Sequence, residues 1–349
     1  LEAQAVALVL NALSKWPDTP DCQDAANALA SRLSDDPKLC NDLNAQGVAS
    51  VLNALSKWPD TQVCADTASK LAVRLADEHL LRNSLDPQGV SNVLNALSKW
   101  PAVCATVAEA LAARLVADPT LCNALDPQGM ANALNALSKW PDTPLCAAGL
   151  KTLAARLVAD PTLCDAIEGQ RMTNALNALS KWPGTPVCAT AAEALAARLA
   201  ADPGLCNALE RQHMANALNA LSKWPDTLLC AAAVEALASR LADDPGLCDE
   251  VEPQVVAIVM NALSKWPDTP DCNDAANALA LRLANDPKLC DALEQQALGI
   301  ALNALSKWPG MPVCTDAASR VASRLVNEPG MCGDLNAQGV AKALNALSK

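Results

Sequence analysis

Between Pro20 and Asp35 the apolar residues Cys22, Ala25, Ala26, Leu29 and Leu33 recur at the i, i+3, i+4, i+7 spacing of an amphipathic helix, started by Thr19-Pro20 and ending near Asp35. A shorter apolar edge, Leu39, Cys40 and Leu43, comes after Asp36-Pro37, an N-cap with proline at the first helical position, and predicts a two-turn helix. Asp86-Pro87 opens a third kind of helix, about 14 residues long and ending at Trp100, where Pro101 blocks continuation. Alternating apolar and polar residues, the mark of a strand, compete nowhere with this pattern. The chain is therefore expected to be all-α, built from short, middle and long helices.

The same three helices are written again and again. Leu52-Asn53-Ala54-Leu55-Ser56-Lys57-Trp58-Pro59, on the middle helix, has close copies along the whole chain, with its serine at Ser14, Ser56, Ser98, Ser138, Ser180, Ser222, Ser264, Ser306 and Ser348. The period is 42 residues with one step of 40, which marks a tandem repeat. Phe and Tyr are absent and every Trp belongs to a copy, so no separate aromatic core exists. Each unit must bury its apolar side against its neighbours. The predicted fold is a right-handed α-solenoid of about eight 42-residue armadillo/HEAT-like repeats, one continuous array over residues 1–349. Both ends cut through a repeat and neither looks like a capping repeat, so the chain is expected to be a fragment of a longer protein.

Eight intact Ser-Lys-Trp-Pro tetrapeptides in register, each preceded by Asn-Ala-Leu, resemble the SKWP-repeat effectors that plant-pathogenic bacteria deliver by type III secretion. The resemblance covers the whole chain. It implies a virulence protein related to HEAT and armadillo repeats, secreted into the host cell and acting in the host cytoplasm, with no catalytic residue to carry over. The copy Trp100-Pro101-Ala102-Val103-Cys104 lacks two residues of the usual Trp-Pro-Asp-Thr-Pro-x-Cys and departs from the pattern.

Recurring polar residues stack into ladders. On the middle helix Gln46, Asn53 and Lys57 share one face, opposite the apolar side with Val48, Val51, Leu52, Leu55 and Trp58. The Asn ladder, including Asn53, Asn95, Asn135, Asn177 and Asn219, either hydrogen-bonds the backbone of an extended partner or satisfies polar groups of the adjacent repeat. Trp58, Trp100, Trp140, Trp182 and Trp224 read as structural plugs whose indole N–H reaches a neighbouring carbonyl, with base stacking as the alternative.

A recognition surface needs positions that differ from copy to copy, and two sets do. On the long helix, taken to line the concave face, the candidate partner-binding residues are Asp24, Asn27, Asp66, Ser69, Thr106, Glu109, Lys151, Thr190, Glu193, Glu235, Asp274, Asn277, Asp316 and Ser319. On the middle helix a second set reads Ser50, Asn92, Asn132, Asn174, Asn216, Ile258, Ile300 and Lys342.

Charge and cysteine chemistry narrow the classes. An Arg recurs on the long helix, as at Arg32, Arg74 and Arg114, with a carboxylate four residues after each, which accounts for a charge ladder without a ligand. A formal net charge of −12 argues against the uncompensated basic surface of a nucleic-acid binder. The 15 cysteines, eight from Cys22 to Cys314 after the motif and seven from Cys40 to Cys332 on the short helix, lack metal-site spacing. They sit on apolar helix edges and read as buried thiols, with inter-repeat disulfides as the alternative. His79 and His213 occupy non-equivalent positions, so no catalytic set or metal site can be assembled. No apolar run is long enough to span a bilayer. The expectation is a non-enzymatic scaffold without cofactor, binding a host protein or extended peptide along its concave face. The alternatives are a structural spacer between other effector domains and a nucleic-acid-binding array.

Overall fold

The computed structural model describes residues 2–244, 246–247 and 252–327, with side chains described as far as residue 324. Cys248, Cys332, Lys342 and Ser348 lie outside the described residues. Every element among the described residues is a helix. The chain divides into two compact units, Leu1–Ile167 and Glu168–Lys349.

In unit 1 the motif helices are Ala3–Leu13, Ala45–Leu55, Pro87–Leu97 and Pro127–Leu137, succeeded in turn by the long helices Pro20–Asp35, Gln62–Asp77, Pro101–Ala117 and Pro144–Ala159. A short helix comes after each long one, at Pro37–Asn41, His79–Asn83, Pro119–Asn123 and Pro161–Asp165, before the chain enters the next repeat. Unit 2 repeats the plan, with motif helices Gly169–Leu179, Arg211–Leu221, Pro253–Leu263 and Gln295–Leu305 and long helices Pro186–Ala201, Leu228–Asp243, Pro270–Asn285 and Pro312–Asn327. Motif helix packs on motif helix and long helix on long helix, so each unit has two helical layers, as an α-solenoid requires. Between the layers the leucines are sealed: Leu52, Leu55, Leu71 and Leu75 have no exposed surface. Each contributes about 1.5–3 kcal/mol by burial.

Small residues set the layer spacing. Ala54, Ala68, Ala96 and Ala108 are wholly buried at the seams. At Gly149 an added Cβ would meet the Cβ of Ala112 on the preceding long helix at 3.0 Å, a contact so tight that an alanine there would need its neighbours to give by a few tenths of an ångström.

The Asp-Pro starts carry the predicted caps, whereas the Thr residues before the long helices, such as Thr19 and Thr61, make no side-chain cap bond. The Asp36 carboxylate accepts from Leu39 N–H at 3.0 Å, and Asp118, Asp160, Asp202 and Asp286 cap their short helices in the same way. Three of the four motif helices in unit 1 start on Asn44, Asp86 and Asp126, whose side chains accept from the Gly47, Gly89 and Gly129 N–H groups, while Ala3–Leu13 starts on Glu2 without a side-chain cap. Two boundaries differ from the sequence reading. The short helix is a five-residue turn at Pro37–Asn41, not two turns. The motif helix stops at Leu97, short of Trp100, because Ser98 caps it: the hydroxyl donates to the Asn95 carbonyl at 2.7 Å, and Lys99 and Trp100 N–H bond only three residues back. The helix has thus already ended before the proline is reached.

The shortened copy is absorbed without disorder of the repeat. With Asp-Thr removed, the long helix begins directly at Pro101 and extends over 17 residues, with Trp100 as its N-cap residue.

Candidate functional site

Six of the tryptophans are held by the repeat before them. In unit 1 the indole N–H groups of Trp58, Trp100 and Trp140 donate to the Pro17, Pro59 and Pro101 carbonyls, each at 2.9 Å. In unit 2, Trp224 and Trp266 donate to Pro183 and Pro225 at 3.0 and 3.1 Å, while Trp308 turns to the Asn273 side-chain oxygen at 2.7 Å. Trp58 is 4% exposed, so its ring offers no face to a stacking base; Trp182 is half-buried. Trp16, in the first repeat, has 60% of its surface exposed.

The long-helix arginines are a second joint. Arg74 Nη1 donates to the Cys40 and Leu43 carbonyls at 2.6 and 2.9 Å, and Nη2 to the Asn41 carbonyl at 2.9 Å. Arg156 reaches the Cys122 carbonyl, Arg240 those of Cys206 and Leu209, and Arg324 that of Cys290. A cation therefore sits on the open carbonyls at the end of the preceding short helix, where the helix dipole is negative. The pairing within one helix end that the sequence suggests is realised at Arg74, which also meets Glu78 at 2.9 Å. Such guanidinium groups are committed to protein carbonyls and do not form an open phosphate stripe. Arg82 stands where the other short helices carry cysteine. It donates to the Leu75 carbonyl, as Cys206 Sγ does to Leu199 seven residues back, and also to Ala76.

The 13 described cysteines are all free thiols. Burial pushes Cys64 and Cys104 up to about 11. Cys146 and Cys272 rise to about 12, by burial first and then by the Glu109 and Glu235 carboxylates of the repeats before them. Thiols so held are poor nucleophiles. His79 is exposed, and His213 lies 3.9 Å from Glu210. Among the described residues no group of His, Cys, Asp or Glu could hold a metal, and no helix is long and apolar enough to cross a membrane.

The long-helix candidates separate into two kinds. Asp24, Asp66, Thr106, Thr190, Asp274, Asn277, Asp316, Ser319 and Lys151 are exposed. Asn27, Ser69, Glu109, Glu193 and Glu235 are half-buried along the seam with the next repeat. Asn27 accepts from the Cys64 thiol at 3.5 Å, and Glu193 raises the Cys230 pKa after burial has done so.

An open recess of about 580 Å3 lies on the motif-helix layer of unit 1, lined by Asn11, Lys15, Gln46, Ser50, Asn53, Asp86, Gln88, Asn92 and Gln128 among others, almost all polar. None of the long-helix candidates lines it. A second recess of about 580 Å3, more apolar, lies among the ends of successive long helices, with Leu115, Val116, Pro119 and Ala155 in its wall and again none of the candidates. The ladder residues Asn53, Asn95 and Asn135 are half-exposed, as are Asn177 and Asn219 in unit 2. No protein partner for these side-chain amides is found among the described residues. Their backbone carbonyls are the acceptors of the capping serines. Lys57, Lys99 and Lys181 are exposed at the helix ends beside them. The sequence put Gln46, Asn53 and Lys57 on one face; that contributions from four successive motif helices meet in one recess needs the packing of the layer.

In comparisons with protein-family models and with curated proteins, the chain matches none.

Proposed function

We propose that this chain is a protein-interaction scaffold that binds an extended segment of a host protein along a face of its repeat array, as part of an effector delivered by type III secretion into the host cytoplasm. The resemblance of its Ser-Lys-Trp-Pro repeats supports the effector setting. The binding reading is carried by the motif-helix face, where Asn11 and Asn53 line the polar recess: half-exposed asparagine amides, each with donors and an acceptor, recur from repeat to repeat, and among the described residues their side chains have no protein partner. A polypeptide that has not formed secondary structure offers complementary N–H and C=O groups at regular intervals.

The test is a pull-down from plant extract with three proteins: the wild type, an Asn53→Ala/Asn95→Ala/Asn135→Ala variant, and a Glu109→Ala/Glu193→Ala/Glu235→Ala variant. A partner lost at least tenfold with the asparagine variant supports binding on the motif-helix face. Loss with the glutamate variant alone moves the contact to the long helices. A partner retained by both, or none captured, overturns the reading and leaves the array as a spacer.

A further inference from the structure

Along each motif helix the open face reads Gln, a changing residue, Asn and Lys at i, i+4, i+7 and i+11, as in Gln46-Ser50-Asn53-Lys57 and Gln254-Ile258-Asn261-Lys265. The Gln, Asn and Lys are the same in every repeat, and only the residue between them changes. In unit 2 it is Asn174, Asn216, Ile258 and Ile300. Ile258 is 36% exposed and Ile300 half-buried, whereas their neighbours Val259, Met260 and Ala301 fill the core. A β-branched residue is a mediocre helix former, and an exposed one adds nothing to folding. Motif helices Pro253–Leu263 and Gln295–Leu305 pack side by side, so the two isoleucines are adjacent, as are the two asparagines on Gly169–Leu179 and Arg211–Leu221.

We propose that this changing position determines specificity: the constant asparagine amides hold the main chain of a bound polypeptide, and the changing residue a turn before each selects one of its side chains per repeat. The inference rests on the reading that the motif-helix face binds an extended segment, and it names that segment's form. Helices in contact lie about 8–10 Å apart. A polyproline-II segment advances about 3.1 Å per residue with three residues per turn, so every third side chain points the same way at intervals of about 9 Å. A β-strand, with alternate side chains about 6.6 Å apart on one face, falls out of step. The polyproline-II backbone has no internal hydrogen bonds, leaving its carbonyls and N–H groups for the amides. Unit 2 should therefore select a segment with two apolar residues three positions apart, facing Ile258 and Ile300, and polar residues at the same spacing facing Asn174 and Asn216.

The experiment is selection from a phage library of random 12-residue peptides on the full chain and on its Ile258→Asn/Ile300→Asn variant. Asparagine already occupies this position in two repeats of the same unit, so the variant should fold, and its circular dichroism melt is to be compared with the wild type. The wild type is expected to enrich peptides with apolar residues at i and i+3, and the variant to bind them at least tenfold less tightly while enriching polar residues there. Apolar residues at i and i+2, or the same preference in both proteins, overturns the inference but leaves polypeptide binding standing. No peptide enriched on either protein overturns both.

Discussion

At the scale of single residues, the chain joins its repeats through main-chain oxygen. Trp58→Phe keeps an aromatic ring but leaves the Pro17 carbonyl without its donor. Urea unfolding monitored by circular dichroism should show a loss of about 1–2 kcal/mol. Trp16→Phe, at a residue largely in water, should change stability by less than about 0.5 kcal/mol. The thiols give a second test. An ordinary thiol ionises near 9.0, whereas Cys146 in the folded protein is pushed up to about 12. Below about pH 9 both folded and unfolded chains keep the proton and the contribution is fully present; above it the unfolded chain loses its proton first, so stability falls as pH rises toward 12. The urea midpoint should drop over that window, and less steeply in Cys146→Ala. Near pH 8, iodoacetamide should label the half-buried Cys22 and Cys40 before the fully buried cysteines.

At the scale of the element, the apolar spacing and the Asp-Pro starts made the helices legible, because caps and burial act locally. The ends were less so. Nothing in a one-dimensional reading tells whether Ser98 or Pro101 stops a helix; the serine hydroxyl on the Asn95 carbonyl decides it. Nor could the arginine row be assigned, since Arg74 has a carboxylate four residues on and, only after folding, three carbonyls of the preceding repeat within reach. Arg156→Met retains the stem and removes the cation from the end of the short helix Pro119–Asn123. It should cost about 1.5–3 kcal/mol and raise amide exchange in that helix before any other.

At the scale of the whole molecule, a 42-residue period was enough to predict neighbour-on-neighbour helical packing, and the two layers in each unit are its outcome. The candidate surface was only half legible. The shared face of Gln46, Asn53 and Lys57 comes from helix periodicity, but a recess also containing Asp86, Gln88 and Gln128 exists only once successive helices stack. Excising residues 18–59, one 42-residue period, restores the sequence Trp-Pro-Asp-Thr at the junction. The shortened chain should remain fully helical by circular dichroism and unfold at a somewhat lower urea concentration; loss of a cooperative transition would mean that the repeats are not interchangeable.

In five of its six described instances the tryptophan clasp closes on a peptide oxygen, a group that every copy offers whatever its side chains, and the 40-residue copy makes the same bond as its longer siblings. A joint of that sort is blind to lineage. Crossing-over between copies can duplicate, drop or reorder whole cassettes without inventing a new fit, so the gene is free to vary its length and its order of surface residues while the joinery stays constant.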